Sequence, residues 1–225
     1  MHEREKIIDA PLILSIIATG MMSFAGVVVE TAMNITFPTL MREFQIGTST
    51  VQWITTGYLL VLAIIIPASS YLKRRFTTKA LFATAMTLFM IGTVLSAITP
   101  VFSLLLLGRL IQGVGTGVAL PLMFNIVLEQ VPKKQLGLMM GVASLITAMA
   151  PAIGPSIGGM IVTLFGWRMI FAVLLPFLAV AFVMGLSSIR QVSPVEKISF
   201  NWPDYLCLAV GFSCFIFATS IASAA

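Results

Sequence analysis

Long apolar runs broken by short polar stretches make up nearly all of this chain. Several runs reach the roughly 20 residues that a helix needs to cross a hydrocarbon layer. They predict seven helical spans at residues 11–33, 51–72, 79–98, 102–128, 136–164, 169–189 and 205–223. Residues 1–10 form a polar tail of mixed charge. The run beyond it is too long for the core of a signal peptide, so it reads as a retained first helix. The pattern predicts an all-α membrane protein.

Composition narrows this further. The 225 residues are 59% hydrophobic and 9% charged, with a mean hydropathy of +1.06. A soluble domain carries roughly a quarter charged residues, so soluble enzymes and nucleic-acid binders are excluded. The 16 Phe, 14 Met and 17 Gly suit helices packed in lipid, where glycine permits close backbone approach.

The net charge of +5 matters less than where the charges fall. Alternating the loops from the N-terminus places Arg4, Lys6, Lys73, Arg74, Arg75, Lys79, Lys133, Lys134, Arg190 and Lys197 on one side. Only Arg42 and Arg168 fall on the other, and Arg109 lies within a span. An excess of Lys and Arg marks cytoplasmic loops, which predicts a cytoplasmic N-terminus. The run Lys73-Arg74-Arg75 is explained by this orienting role.

An ionisable group inside a span is a functional candidate by default. Two qualify. Glu30 lies near the end of span one, and Arg109 about seven residues into span four, roughly 10 Å below the outer surface at 1.5 Å per residue. On facing helices at similar depth the two would pair, which lowers the penalty of burying both. Burial and a nearby cation act oppositely on a carboxylate's hold on its proton. That balance suits a group that binds and releases one. The plainer readings are an interfacial, water-facing Glu30 and a structural Arg109.

Glycine and proline form the second feature. Span five contains Gly154-Pro155-Ser156-Ile157-Gly158-Gly159, with Pro151 one turn earlier. Span four contains Gly113-Val114-Gly115-Thr116-Gly117, with Pro121 beyond. Glycines four apart make a flat surface for helix approach, and proline bends a helix. Ordinary packing explains such pairs, and so does a moving seam in a transporter.

The residues also resemble a known family. Leu105-x3-Arg109-x2-Gln112-Gly113-x-Gly115 is similar to the fourth-helix motif of the major facilitator superfamily. Gly154-Pro155-x2-Gly158-Gly159 is similar to its fifth-helix antiporter motif. Thr31-x2-Asn34-x3-Pro38, closing span one, resembles the first-helix motif of drug–proton antiporters. Gln52-Trp53 with Tyr58 resembles the start of their second helix, and Gly166-Trp167-Arg168-x2-Phe171 with Pro176 their sixth. Asn201-x2-Asp204 before span seven resembles the fourteen-helix subfamily. The nearest likeness is to lincomycin-resistance-type multidrug exporters, through Glu30-Thr31-Ala32-Met33-Asn34 and Phe76-Thr77-Thr78-Lys79.

The resemblance implies the first six-helix bundle of the major facilitator fold over residues 11–190, as three-helix repeats at 11–98 and 102–190. A loop and a seventh, linker helix follow at 191–225. It implies a proton-coupled exporter of drugs or other small amphiphiles in a bacterial plasma membrane. Glu30 and Arg109 would couple protons, and Gly154, Pro155, Gly158 and Gly159 would set export direction. Asn34, Gln112, Tyr58 and Trp53 are candidates for the substrate cavity, with Phe24, Met33, Phe37 and Phe124 more ordinary core or lipid-facing positions. Arg75 and Lys79 are the basic residues of the helix 2–3 loop. That loop departs from the family: Ser70 and Thr77 stand for glycines, and Arg74 for an aspartate. Val29 occupies the usual first-helix acid position, so Glu30 is turned by about 100°.

The family fold needs two bundles with substrate between them. Seven helices therefore predict a fragment or truncated product that needs a missing C-terminal half. The alternatives are an importer of the same superfamily, an inactive remnant, or a seven-helix receptor or pump. The last helix has no lysine for retinal. No cofactor or metal is expected: His2 is the only histidine, and there is no phosphate-binding loop. Cys207 and Cys214 match no metal spacing and read as small packing residues. The expected partners are a small-molecule substrate, protons and the lipid bilayer, with no nucleic acid.

Overall fold

A computed structural model describes residues 8–192, 194, 195, 205, 207, 209–211 and 214. It contains six long helices: α1 Ala10–Phe44, α2 Thr48–Arg75, α3 Thr78–Ile98, α4 Phe102–Gln130, α5 Leu136–Phe165 and α6 Arg168–Ser188. All six are long and apolar enough to cross a membrane. Most of the predicted seventh span, and the end of the chain, lie outside the described residues. Tyr205 is helical there, and its hydroxyl donates to the Ile64 carbonyl of α2 at 2.9 Å. Cys207 and Cys214 are exposed and unbonded, not packed.

Five of the six spans match their expected ends to within a few residues. The first does not. Its 35 residues run about 52 Å at 1.5 Å each, well beyond the roughly 30 Å hydrocarbon core. Hydropathy falls after Met33, yet the helix continues because its last turns are held by tertiary contacts. Leu40 is buried, and Glu43 accepts from Trp167 Nε1 at 2.7 Å and pairs with Arg168 Nη1 at 2.7 Å. Arg168 also donates to the Thr99 carbonyl at 2.9 Å and covers the Trp167 ring at 4.3 Å. One clamp thus ties together the ends of α1, α3 and α6 that lie far from where the chain starts. The helix stops at Gln45, whose φ of 53° is left-handed. Glu30, Thr31, Asn34 and Pro38 consequently lie inside α1 and do not close it.

Substituting Glu43→Gln keeps the shape and removes the charge. The expected loss is about 1 kcal/mol, because the pair is partly exposed. A thermal shift in detergent, taken round a double-mutant cycle with Arg168→Gln, measures it.

The opposite end is tied as well. Asp9 caps α1 by accepting from Leu12 N at 3.0 Å, and its other oxygen pairs with Arg190 at 2.7 Å. Gln191 accepts from Thr78 N at 2.7 Å, and Lys73 pairs with Glu129 at 2.6 Å. The segment after α6 therefore returns to the end where α1 begins, as six crossings require.

Two apolar clusters fill the bundle. One gathers Leu12, Ile16, Met22, Phe82, Phe89, Met123, Ile126, Leu178 and neighbours, towards the end where the chain starts. The other gathers Val29, Met33, Leu40, Val51, Ile54, Leu105, Trp167, Ile170 and Phe171 towards the far end. By position along α1 to α4, a polar layer falls between them.

A buried arginine network as the candidate functional site

That layer is built on α4. Arg109 is fully buried, an uncommon state for a permanent cation. Its Cζ sits 4.2 Å from the ring centroid of Tyr58 on α2, a cation–π distance. Its Nη1 donates to Gln112 Oε1 at 2.7 Å, one turn further along α4. Gln112 Nε2 in turn donates to Thr93 Oγ1 on α3 at 2.8 Å. Tyr58 Oη makes bonds of 2.9 Å to Thr116 Oγ1 on α4 and 3.1 Å to the Gly26 carbonyl of α1. Four helices meet in one chain of polar contacts.

Glycine allows that meeting. A Cβ on Gly26 would stand 2.6 Å from Thr116 Oγ1. On Gly92 it would stand 2.5 Å from the Gly108 carbonyl oxygen, and on Gly115 2.6 Å from that of Ala85. Gly113 and Gly117 present the other face of α4 to Val61 and Ile65 of α2. The glycine-rich stretch of α4 is thus two packing surfaces, one towards α2 and one towards α3.

Glu30 lies beside this network without joining it. Helices α1 and α4 run antiparallel, and Gly26 faces Thr116. Towards the end far from where the chain starts, Glu30 is one turn further along α1 and Arg109 about two turns further along α4. The two are within electrostatic reach, and Glu30 is half-buried. They form no ion pair, which corrects the expectation of a direct one. Arg109 is instead satisfied in part by an amide oxygen and an aromatic face, while its Nε and Nη2 have no hydrogen-bond partner.

The remaining candidates divide. Tyr58 and Gln112, expected at the substrate cavity, are fully buried and hold the arginine. A buried guanidinium needs acceptors and a π face close by, and these two supply them. Met33 is also buried, in the cluster at the far end, which Phe37 joins from its edge; Phe124 borders the cluster at the end where the chain starts. Asn34 and Trp53 remain exposed, and Asn34 Oδ1 accepts from Thr55 of α2 at 2.9 Å. Gly154 and Gly158 are buried against α1, where added Cβ atoms would meet Thr31 and Ala32. The fifth-helix motif therefore packs on the turn of α1 that carries Glu30. Pro155 is exposed, and Gly159 has only Ile35 nearby. Arg75 and Lys79 are exposed at the end where the chain starts. Among the described residues no three His, Cys, Asp or Glu side chains converge on a metal-sized site.

Two features escaped the sequence reading. Thr93 and Thr116 each complete a link between helices, and the Glu43–Trp167–Arg168 clamp fixes the outer end. Thr93 and Thr116 are polar residues inside apolar spans. Their count was a signal, but their partners are up to 58 residues away in the chain.

The Major Facilitator Superfamily profile matches residues 12–224. The chain belongs to this superfamily. It is 40% identical over 218 residues to lincomycin resistance protein LmrB of Listeria monocytogenes, covering 97% of this chain and 46% of that protein. It is 31% identical over 210 residues to a multidrug resistance protein B homolog of Mycobacterium tuberculosis strain H37Rv, covering 89% and 39%. The chain thus spans less than half the length of these curated relatives. Among solved structures, the human organic anion transporter MFSD10 superposes with a TM-score of 0.71 at 14% identity, covering 89% of this chain and 54% of that one. A D-xylose–proton symporter gives 0.69 at 16%, covering 94% and 54%. These likenesses show an all-α fold shared with the superfamily, and membership of that superfamily makes the chain part of a membrane transporter family and not an enzyme family.

Proposed function

We propose that this chain is the first half of a proton-coupled exporter of drugs or other small amphiphiles, working by alternating access in a bacterial plasma membrane. The carrying observation is a half-buried carboxylate, Glu30, within electrostatic reach of a fully buried arginine whose Nε and Nη2 have no hydrogen-bond partner. A fixed positive charge nearby makes proton binding at Glu30 sensitive to whatever else enters the site. A cationic or amphiphilic substrate and a proton would then compete for one carboxylate, which is the requirement for exchange.

Several features support the reading. The named relatives are drug-resistance proteins. Gly154 and Gly158 give α1 and α5 a close, smooth contact directly behind Glu30, where a rocking bundle would transmit motion. The cluster of Lys and Arg at the end where the chain starts supports a cytoplasmic N-terminus. The absent second bundle would supply the other wall of the cavity, beside the exposed Asn34 and Trp53.

The test uses the full-length protein. Glu30→Gln at matched expression is expected to reduce drug resistance and to remove the pH dependence of substrate binding. Unchanged resistance and an unchanged pH profile would sink the assigned proton role. Extrusion of a fluorescent substrate from energised vesicles, as against uptake, sets the direction.

A further inference from the structure

Beside the short link that joins α2 to α3, a groove of about 290 Å³ lies between these two helices and α4. Its walls are apolar: Leu72 and Phe76 on one side, Leu81 and Leu88 on the other, with Val114 and Val118 beneath. Along α3 the groove is lined from Ala80 to Leu88, about 12 Å at 1.5 Å per residue. That is most of the depth of one leaflet, which is half of a roughly 30 Å hydrocarbon core.

Its mouth is basic. Residues 72–80 contain Lys73, Arg74, Arg75 and Lys79 and no acid. Glu129 neutralises Lys73 across the α2–α4 gap. Arg75 and Lys79 are exposed and take part in no ion pair, and Arg75 lies over the Phe76 ring at 5.9 Å. Phe76 itself is 47% exposed at the rim. An apolar slot that reaches most of one leaflet's depth, with exposed Arg75 and Lys79 next to its rim residues Phe76 and Ala80, matches a molecule with an acyl chain and an anionic head.

We propose that the α2–α3 groove is a binding site for an anionic phospholipid, with an acyl chain along Leu72, Leu81, Leu88 and Val118 and the headgroup phosphate at Arg75 and Lys79. Free phosphate lacks the chain, and a zwitterionic lipid lacks the net charge that two cations select. The site would fix the loop between α2 and α3 against one leaflet and make the protein's behaviour depend on lipid charge.

The test places a reporter at the rim. Phe76→Trp in the full-length protein, reconstituted in vesicles, reads quenching of the added indole by brominated lipid after subtraction of the parent protein's signal. Brominated phosphatidylglycerol is expected to bind about tenfold more tightly than brominated phosphatidylcholine, given two cations near the surface. Adding Arg75→Gln and Lys79→Gln should bring the two lipids to parity while leaving quenching by phosphatidylcholine intact. Equal binding of both lipids by the parent reporter, or a preference that survives the double substitution, would overturn the proposal. So would the absence of quenching by either lipid, which would mean that another part of the protein covers the groove.

Discussion

Replacing Arg109 by methionine in the full-length protein is expected to abolish coupled transport while leaving the bundle folded. The arginine is fully buried and has no ion-pair partner, so no direct contact with an opposite charge repays its desolvation. Exchanging a buried charge for an apolar side chain of similar length is often neutral in stability. Methionine also keeps a favourable sulfur contact with the Tyr58 ring. Gln112 Oε1 loses its donor, at about 1 kcal/mol, so the melting temperature should shift only slightly. Transport should fall by about 10²-fold or more, the scale of removing a preorganised cationic donor from a site where charge changes. Thermal melts and proton-driven flux in proteoliposomes separate the two effects. Normal flux in Arg109→Met would remove the arginine from the mechanism, and a collapsed melt would make its role structural.

Gly92→Val is expected to fail in the opposite way, by disrupting the fold itself. The added Cβ would lie 2.5 Å from the Gly108 carbonyl oxygen and 2.9 Å from Gln112 N, both backbone atoms that cannot rotate aside. Overpacking a tight interior by even one group destabilises by about 1–3 kcal/mol, and valine adds three carbons. Helices α3 and α4 must separate, which also breaks the Gln112–Thr93 bond that steadies Arg109. The expected result is a loss of at least about 3 kcal/mol, seen as poor yield and a much lower melting temperature. Gly141→Ala is the contrast: nothing stands within 4 Å of its Cβ, so the exchange should be neutral or slightly stabilising. A wild-type melt for Gly92→Val would mean that α3 and α4 are not in backbone contact.

These two positions show how far the sequence reaches. Arg109 was recognisable at once, since an ionised side chain in an apolar run has few purely structural excuses. Its surroundings were not. Tyr58 and Gln112 are polar residues in spans, and the family resemblance pointed them to a cavity. Their burial around the guanidinium is a matter of which helix faces meet, and periodicity within one helix carries no such information. Gly92 was invisible for the same reason. It has no glycine four residues away in α3, and its partner, Gly108, lies on the next helix.

Span boundaries were legible where hydropathy and helix end together, as in α3, α4, α5 and α6. They failed in α1. There the helix outlasts the membrane because Glu43 finds Trp167 and Arg168, more than 120 residues away. Hydropathy reports the solvent around a segment, and a helix held by protein contacts does not need lipid to persist.

The sequence by itself determined that the chain is helical and membrane-embedded. Those properties follow from transfer energies and local periodicity, which act residue by residue and require no partner. Its likeness to a transporter bundle came from the resemblance of its motifs to a known family. The sequence also singled out Glu30 and Arg109 as the ionisable groups within the spans. Only the tertiary structure decided that they stand apart, that Arg109 rests on Tyr58 and Gln112, and that Gly154 and Gly158 press on the turn bearing Glu30. Helix register and crossing set those distances. They are fixed by the packing of several helices at once, an outcome that no single segment of the chain encodes.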